Sequence, residues 1–341
     1  MGVIEFWKKF IFDQMDKDVW CASLKSQRAF SHLFDCNGIL YDIANDVYGL
    51  GDALDGTPLD KRRDVIERKR KYKSTPHLLE GEFMQKLREV LTSNILDVVG
   101  ATDVLIFGFD GIVPVAKLDQ QRVRRFRGSA ERNEKNKTAA EYDSEEYLFN
   151  PSLNFTVGSP YLNRVCQTVR EWIKDNELKL PMFYYFTDCS EEGEAEHKIF
   201  RIFEDFVNQL VEQFPHEKVK PKDVIESNIH VIQGLDSDLF FITLLRSEYS
   251  FYWLRTAKHG LRNLRRGESR HPPDVTCILK VRDFIVERMG GNPNDSKQVK
   301  EIVDDFTLMS FLIGDDFVPP MFTLTIDSGL ALMSFMEVYK E

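Results

Sequence analysis

Four pairs of acids stand far apart in this chain but share one chemical character. They are Asp35 with Asp110, Glu194 with Glu196, Asp236 with Asp238, and Asp315 with Asp316. Gathered without counter-ions, these carboxylates would repel strongly, so they either spread over a solvated rim or bind hard cations. Mg²⁺ or Mn²⁺ suits such a set, because both accept carboxylates, waters and substrate phosphates. Two such ions about 3.5–4 Å apart generate hydroxide and stabilise the attacking and leaving oxygens of a phosphodiester. The chemistry implied is phosphodiester hydrolysis.

Each acid also has a plain structural reading. Asp35 can cap a helix beginning at "NGILYDIA", Asp110-Gly111 can be a turn, and Asp236 to Asp238 can be a capped strand-to-helix corner. Glu194 and Glu196, two residues apart, share a site only if a helix N-terminal turn places them together. Glu191 and Glu192 add to the same crowd, and acids favouring a helix N-terminus account for only part of it. His197 reads as a packed or supporting histidine, since its surroundings are rich in oxygen, and Cys36 reads as buried and inert.

A basic block, "AKLDQQRVRRFR", follows Asp110. If it is helical, Lys117, Gln121, Arg124 and Arg125 stand at i, i+4, i+7 and i+8 and share one face. Three cations and an amide there fit a phosphate, since arginine offers paired hydrogen bonds to its oxygens. A terminal-phosphate pocket beside a metal crevice would measure substrate from its end. Further basic runs lie at 61–73 and 255–270 in a chain of net charge −10, so any polyanion would be met by local patches. The segment "GLGDALDG" lacks the Lys and Ser/Thr of a phosphate loop and is discounted.

These residues need a frame. The runs "AFSHLF", "DVLIFGF", "MFYYFT" and "IHVIQGL" read as buried strands, each leading to an aspartate: Asp35, Asp110, Asp188 and Asp236. Helical spacing over 80–99 and 159–175, and at Ile199, Phe203, Phe206, Leu210 and Phe214, alternates with them, and Ser159-Pro160 reads as a cap and first turn. This is the pattern of an α/β doubly wound, mainly parallel sheet, in which ligands bind beyond the carboxyl ends of the strands. Helices are expected at 275–289, 297–313 and 328–340, and loops at 50–60, 128–158, 215–228 and 259–274. At 341 residues, 43% of them hydrophobic, the chain can bury a large core. No apolar run reaches membrane-span length, and the five scattered cysteines form no CxxC pair, so neither a disulfide framework nor a zinc site is expected. An intracellular, reducing location fits.

The blocks "FDCNGILY", "FGFDGIVPVAKLDQQRVRRFR", "EEGEAEHKI", "IQGLDSDLFFITLL" and "DDFTLMSFLIGDDFVPP" resemble, in order, the Xrn-type 5′-to-3′ exoribonucleases, relatives of the flap-endonuclease and PIN-like nucleases. The resemblance implies a nuclease domain over residues 1–320 with a helical extension at 321–341. It implies metal-binding acids at Asp35, Asp110, Glu194, Glu196, Asp236, Asp238 and Asp316, holding two Mg²⁺ or Mn²⁺ ions. It implies a 5′-monophosphate pocket of Lys117, Gln121, Arg124 and Arg125, too small for a cap or triphosphate. Tyr41 stands where the family places a histidine that stacks on the first base, and an aromatic ring retains that capacity.

The implied substrate is single-stranded RNA with a 5′-monophosphate, released as mononucleotides, in the cytoplasm (of a host, if the source is viral) with the nucleus left open. The family normally continues past "GDDFVPP" into a second conserved region. A compact form, a fragment, or a protein partner supplying that region would each fit. A flap-type DNA nuclease and a non-catalytic RNA-binding scaffold are the alternative readings.

Overall fold

The computed structural model describes residues 28–50, 59–99, 102–141, 149–214, 220–255, 275–314, 321 and 330–340. Among them six strands form one sheet: β1 (Ser31–Asp35), β2 (Val104–Gly108), β3 (Phe183–Thr187), β4 (Ile229–Gln233), β5 (Ser250–Leu254) and β6 (Val275–Cys277), in the order β3-β2-β1-β4-β5-β6. All neighbours are parallel except the β5–β6 pair. The four strands expected from the apolar runs are present within a residue or two of their expected bounds, but β3 is not buried as expected: it lies at an edge of the sheet, and Phe183, Tyr184 and Tyr185 are exposed. The chain winds outward from β1 to β2 and β3, then returns to the other side of β1 for β4 and β5. That reversal opens a crevice at the carboxyl ends of the central strands.

Alternation along the strands explains why both sheet faces are covered. Leu33 and Ile106 point into one core with Ile199, Phe203 and Trp253, whereas Phe34, Leu105 and Phe107 point into another with Phe83, Val165 and Trp172. The first core is covered by α7 (Ala195–Gln213), and the second by α1 (Asn37–Tyr48), α3 (Pro76–Leu91) and α6 (Pro160–Asn176). Ser159 caps α6 as expected, its hydroxyl accepting from the Leu162 amide at 3.1 Å.

Three expectations are corrected. The loop expected at 128–158 is helical to Glu141, because α4 (Val115–Glu141) runs through it, and α5 (Pro151–Asn154) follows. Within 215–228, Pro221–Glu226 forms the short α8, with Pro221 at its first position. The helix expected from 275 begins instead at Ile278, after β6 has paired with β5. The remaining helices are α2 (Leu59–Ser74), α9 (Asp238–Leu244), α10 (Ile278–Arg288), α11 (Ser296–Phe311) and α12 (Leu330–Tyr339). Of the other expected loops, 51–58 and 259–274 lie outside the described residues.

A buried polar seam joins β1 to β4. His230 donates from Nε2 to the Ile225 carbonyl and accepts at Nδ1 from Ser31, both at 2.8 Å, and His32 donates to Gln233 at 3.0 Å. Gln233 in turn donates to Asn94, which lies in a π-helical turn (Thr92–Val99) after α3. Burial lowers both histidines from 6.5 to about 4. The fold therefore favours neutral rings, and this contribution to stability, full above pH 6.5, is lost as pH falls toward 4. An NMR titration should find two histidine rings that do not protonate above pH 5; normal titration of all of them near 6.5 would refute the seam.

Candidate active site

Asp35 is the last residue of β1 and lies opposite Gly108 at the end of β2, so Asp35 and Asp110 leave the sheet at the same edge. One amide fixes both. Asn37 Nδ2 donates to Asp35 Oδ1 and to Asp110 Oδ1, each at 2.8 Å, while Asn37 Oδ1 accepts from the Asp110 amide at 3.1 Å. The Asn37 amide also donates to Asp35 Oδ1 at 2.9 Å, so Asp35 serves the start of α1 as well as the crevice. Asn37 was present in the "FDCNG" block, but nothing in its residue type marked it as a clamp.

Asp110 Oδ1 accepts a further bond, at 2.9 Å, from the Ala195 amide at the start of α7. Glu194 and Glu196 flank Ala195 as the helix N-cap and a first-turn residue, which is the N-terminal turn their shared site requires. Two backbone hydrogen bonds of 2.8 Å, Gly111 to the Gly193 carbonyl and Gly193 to the Ile112 carbonyl, zip this loop to the Asp110 segment. Gly111 is required there, since a Cβ would overlap the Glu191 carbonyl, and Gly193 takes a φ of 104°.

Counter-charge comes from two buried lysines. Lys117 lies 3.2 Å from Glu194 Oε1, and Lys198, 1% exposed, donates to the Asp188 carbonyl at 2.7 Å and the Glu191 carbonyl at 3.3 Å. Lys198 was overlooked in the sequence because it sits among glutamates in a charged first turn. Asp188 itself caps the turn after β3, accepting from the Ser190 amide at 2.7 Å, and pairs with Arg170.

Two cations do not balance the acids. Burial, then the charges of Asp110 and Asp236, hold the Asp35 carboxyl well above its usual range. Burial, then Asp35, Asp110 and Glu194, does the same to Glu196. Asp110 is raised by burial together with Glu194 and Asp236, against the pull of the Ala195 amide. Glu194 alone is lowered: burial opposes this but is outweighed by its hydrogen bond with Glu196 and by Lys117. Five acids from four separate chain segments thus sense one another. A buried Glu194 Oε1 also makes no hydrogen bond of good geometry, despite its proximity to Lys117. Such an oxygen-rich, underneutralised set fits a hard divalent cation. Glu194, Glu196 and His197 can each offer a ligand atom within 4.8 Å of the others, although His197 is exposed. Asp236 and Asp238 are half-buried, with Asp238 the first residue of α9; Asp315 and Asp316 lie outside the described residues.

Beside the acids opens a cavity of about 480 Å³, whose lining includes Tyr41, Asp110, Asp236, Gln121, Arg124 and Arg125. Gln121 Oε1 accepts from Arg125 at 3.1 Å and orients it. Lys117, on the same helix, does not line the cavity but is committed to Glu194. Tyr41 is 47% exposed, its ring edge-on to Phe155 at 5.4 Å.

The family model described as the XRN 5′-3′ exonuclease N-terminus matches residues 1–257. The chain belongs to the XRN 5′-3′ exonuclease family. Its sheet is accordingly that of an XRN N-terminal domain, a PIN-like nuclease fold, and residues 296–341 of this XRN chain match the model of the Xrn1 helical domain. It is similar to 5′-3′ exoribonuclease 1 of Saccharomyces cerevisiae, 26% identical over 278 residues, covering 78% of this chain and 17% of that protein. The human 5′-3′ exoribonuclease 1 is 28% identical over 229 residues, 63% of this chain and 13% of the relative. The Drosophila melanogaster 5′-3′ exoribonuclease 2 homolog is 25% identical over 314 residues, 77% and 33% respectively. The chain thus spans a third or less of the length of these relatives.

The crowded acids carry a cost in the metal-free protein. Because the folded Glu196 carboxyl lies above its ordinary 4.5, stability is lost as pH rises from about 4.5 through the folded value. Glu196→Gln should therefore melt higher than the parent at pH 8 in EDTA, and Mg²⁺ should raise the parent's midpoint but not the variant's. A variant that melts lower in EDTA would overturn the crowded-charge reading.

Proposed function

We propose that this chain is a divalent-metal-dependent 5′-to-3′ exoribonuclease that grips the 5′-monophosphate of single-stranded RNA and releases mononucleotides. The observation that carries this reading is the single cavity whose lining includes both Asp110 and Asp236 and Gln121, Arg124 and Arg125. A phosphate held by the arginines would leave the next phosphodiester facing the acids. Its volume lies within the about 300–1,000 Å³ usual for ligand pockets.

Asp35, Asp110, Glu194, Glu196, Asp236 and Asp238, with Asp316, would hold two Mg²⁺ or Mn²⁺ ions. Bound there, the ions supply a hydroxide nucleophile at neutral pH and neutralise charge on the attacking and leaving oxygens. Arg124 and Arg125 donate to the oxygens of the terminal phosphate, with Gln121 fixing the Arg125 fork. Tyr41, exposed on the same wall, offers its ring face to the first base. Asn37 keeps Asp35 and Asp110 in register, so neither carboxylate is free to turn away. Lys117 holds Glu194 ionised and thus contributes to the acids rather than to the phosphate. The relatives named exoribonucleases support RNA as the substrate class. A cytoplasmic site of action and a protein partner belong to the same proposal.

The test uses 3′-labelled single-stranded RNA bearing a 5′-monophosphate, hydroxyl or triphosphate, with Mg²⁺. Only the monophosphate RNA should be degraded, and Asp236→Ala should abolish its loss while leaving the thermal midpoint of a folded protein. Arg125→Ala should lower kcat/KM on monophosphate RNA about 10- to 100-fold, the weight of a charge-assisted hydrogen-bond pair, without affecting residual cleavage of hydroxyl RNA. Equal loss on both substrates would refute the pocket, and binding of all three RNAs without cleavage would favour a scaffold.

A further inference from the structure

Two thiols lie under the loop that carries the acids. Cys166 on α6 and Cys189, the residue after Asp188, have Sγ atoms 3.5 Å apart, and both are reduced and buried. A disulfide needs about 2.05 Å, so the sulfurs must close by about 1.5 Å to bond. Cys189, 6% exposed, is more accessible than Cys166 at 1%. Burial pushes the Cys166 thiol up to about 12, which suits it to react second.

The position of Cys189 gives such a bond a consequence. Its neighbour's carbonyl, Asp188 O, and the Glu191 carbonyl both accept from Lys198, two residues beyond Glu196. The same loop is zipped through Gly193 to Gly111, next to Asp110. Drawing Cys189 toward α6 therefore pulls on a segment fastened to three of the candidate metal ligands, Asp110, Glu194 and Glu196.

We propose that Cys166 and Cys189 are a redox modification site, in which a peroxide converts them to a disulfide that displaces the 188–194 loop and weakens cation binding by the adjacent acids. The Cys189 sulfur attacks one peroxide oxygen, forming an S–O bond as the O–O bond breaks, and the departing hydroxide takes up the thiol proton as water. The Cys166 sulfur then attacks the sulfenic sulfur, forming the S–S bond and expelling a second water. Two thiols lose two electrons and the peroxide gains them. The bond stands on thiol geometry alone; only its consequence rests on the metal site proposed above.

The experiment treats the full chain with hydrogen peroxide, then maps peptides by mass and titrates Mn²⁺ calorimetrically before and after dithiothreitol. Free thiols should fall by two from five, with one peptide pair joining Cys166 to Cys189 at the loss of two hydrogens. Mn²⁺ affinity should fall about 10-fold, in line with misplaced supporting groups at metal sites, and recover on reduction. Cys166→Ser and Cys189→Ser should each bind Mn²⁺ like the parent and resist the peroxide effect. Free Cys166 and Cys189 after treatment, or a bond from Cys166 to the nearby buried Cys36, would overturn the site. A Cys166–Cys189 bond with unchanged Mn²⁺ affinity would overturn the coupling. Absence of Mn²⁺ binding in the reduced parent would instead strike the metal reading and leave the disulfide result to stand on the mass data.

Discussion

Mutual repulsion among buried carboxylates is the constraint around which this molecule is arranged. Asp35, Asp110, Glu194, Glu196 and Asp236 interact across four chain segments, with Lys117 and Lys198 as the buried positive charges beside them. An unbraced set of this kind would splay or protonate. The braces are therefore as informative as the acids: the Asn37 amide spanning Asp35 and Asp110, the Ala195 amide on Asp110, and Lys117 against Glu194. Each holds an oxygen in a position that electrostatics alone would disfavour.

The sheet order makes that gathering possible at little backbone cost. With β1 central and β2 and β4 on either side, strands far apart in sequence end within a few residues of one another at one edge. The connection to α7 then returns across the same edge, where two glycines allow the Glu191–Glu194 loop to lie against the Asp110 segment. The histidine and glutamine seam between β1 and β4 locks the register of the two strands that carry Asp35 and Asp236. A slip of one residue there would send each aspartate to the wrong face.

Much of this was legible in the sequence because strand and site share the same residues. A short apolar run closed by an aspartate marks both a strand and a group at its carboxyl end; four strands carry that cue, three of them buried and β3 an exposed edge. β5, "SFYWL", is as apolar as the others but leads to Arg255, so the same cue passed over it. β6 is three residues long and merges into the apolar spacing of α10, which hides an antiparallel pairing that only the tertiary fold reveals. The second half of α4 is polar on all sides and includes Gly128, so no apolar stripe distinguished it from a loop. Braces such as Asn37 and Lys198 are illegible for a related reason: their roles lie in partners distant in sequence or in burial, and neither has a periodic signature.

The division of labour along α4 follows from the same geometry. Lys117, Gln121, Arg124 and Arg125 share a helical face, yet the helix begins beside the acids, so its first cation meets Glu194 while the later ones reach the cavity. A single helix thereby neutralises part of the acid cluster at one end and offers guanidinium groups to an anion at the other. The distance between the Lys117 ammonium beside Glu194 and the guanidinium groups at the cavity is then fixed by helical rise, about 1.5 Å per residue, rather than by flexible loops.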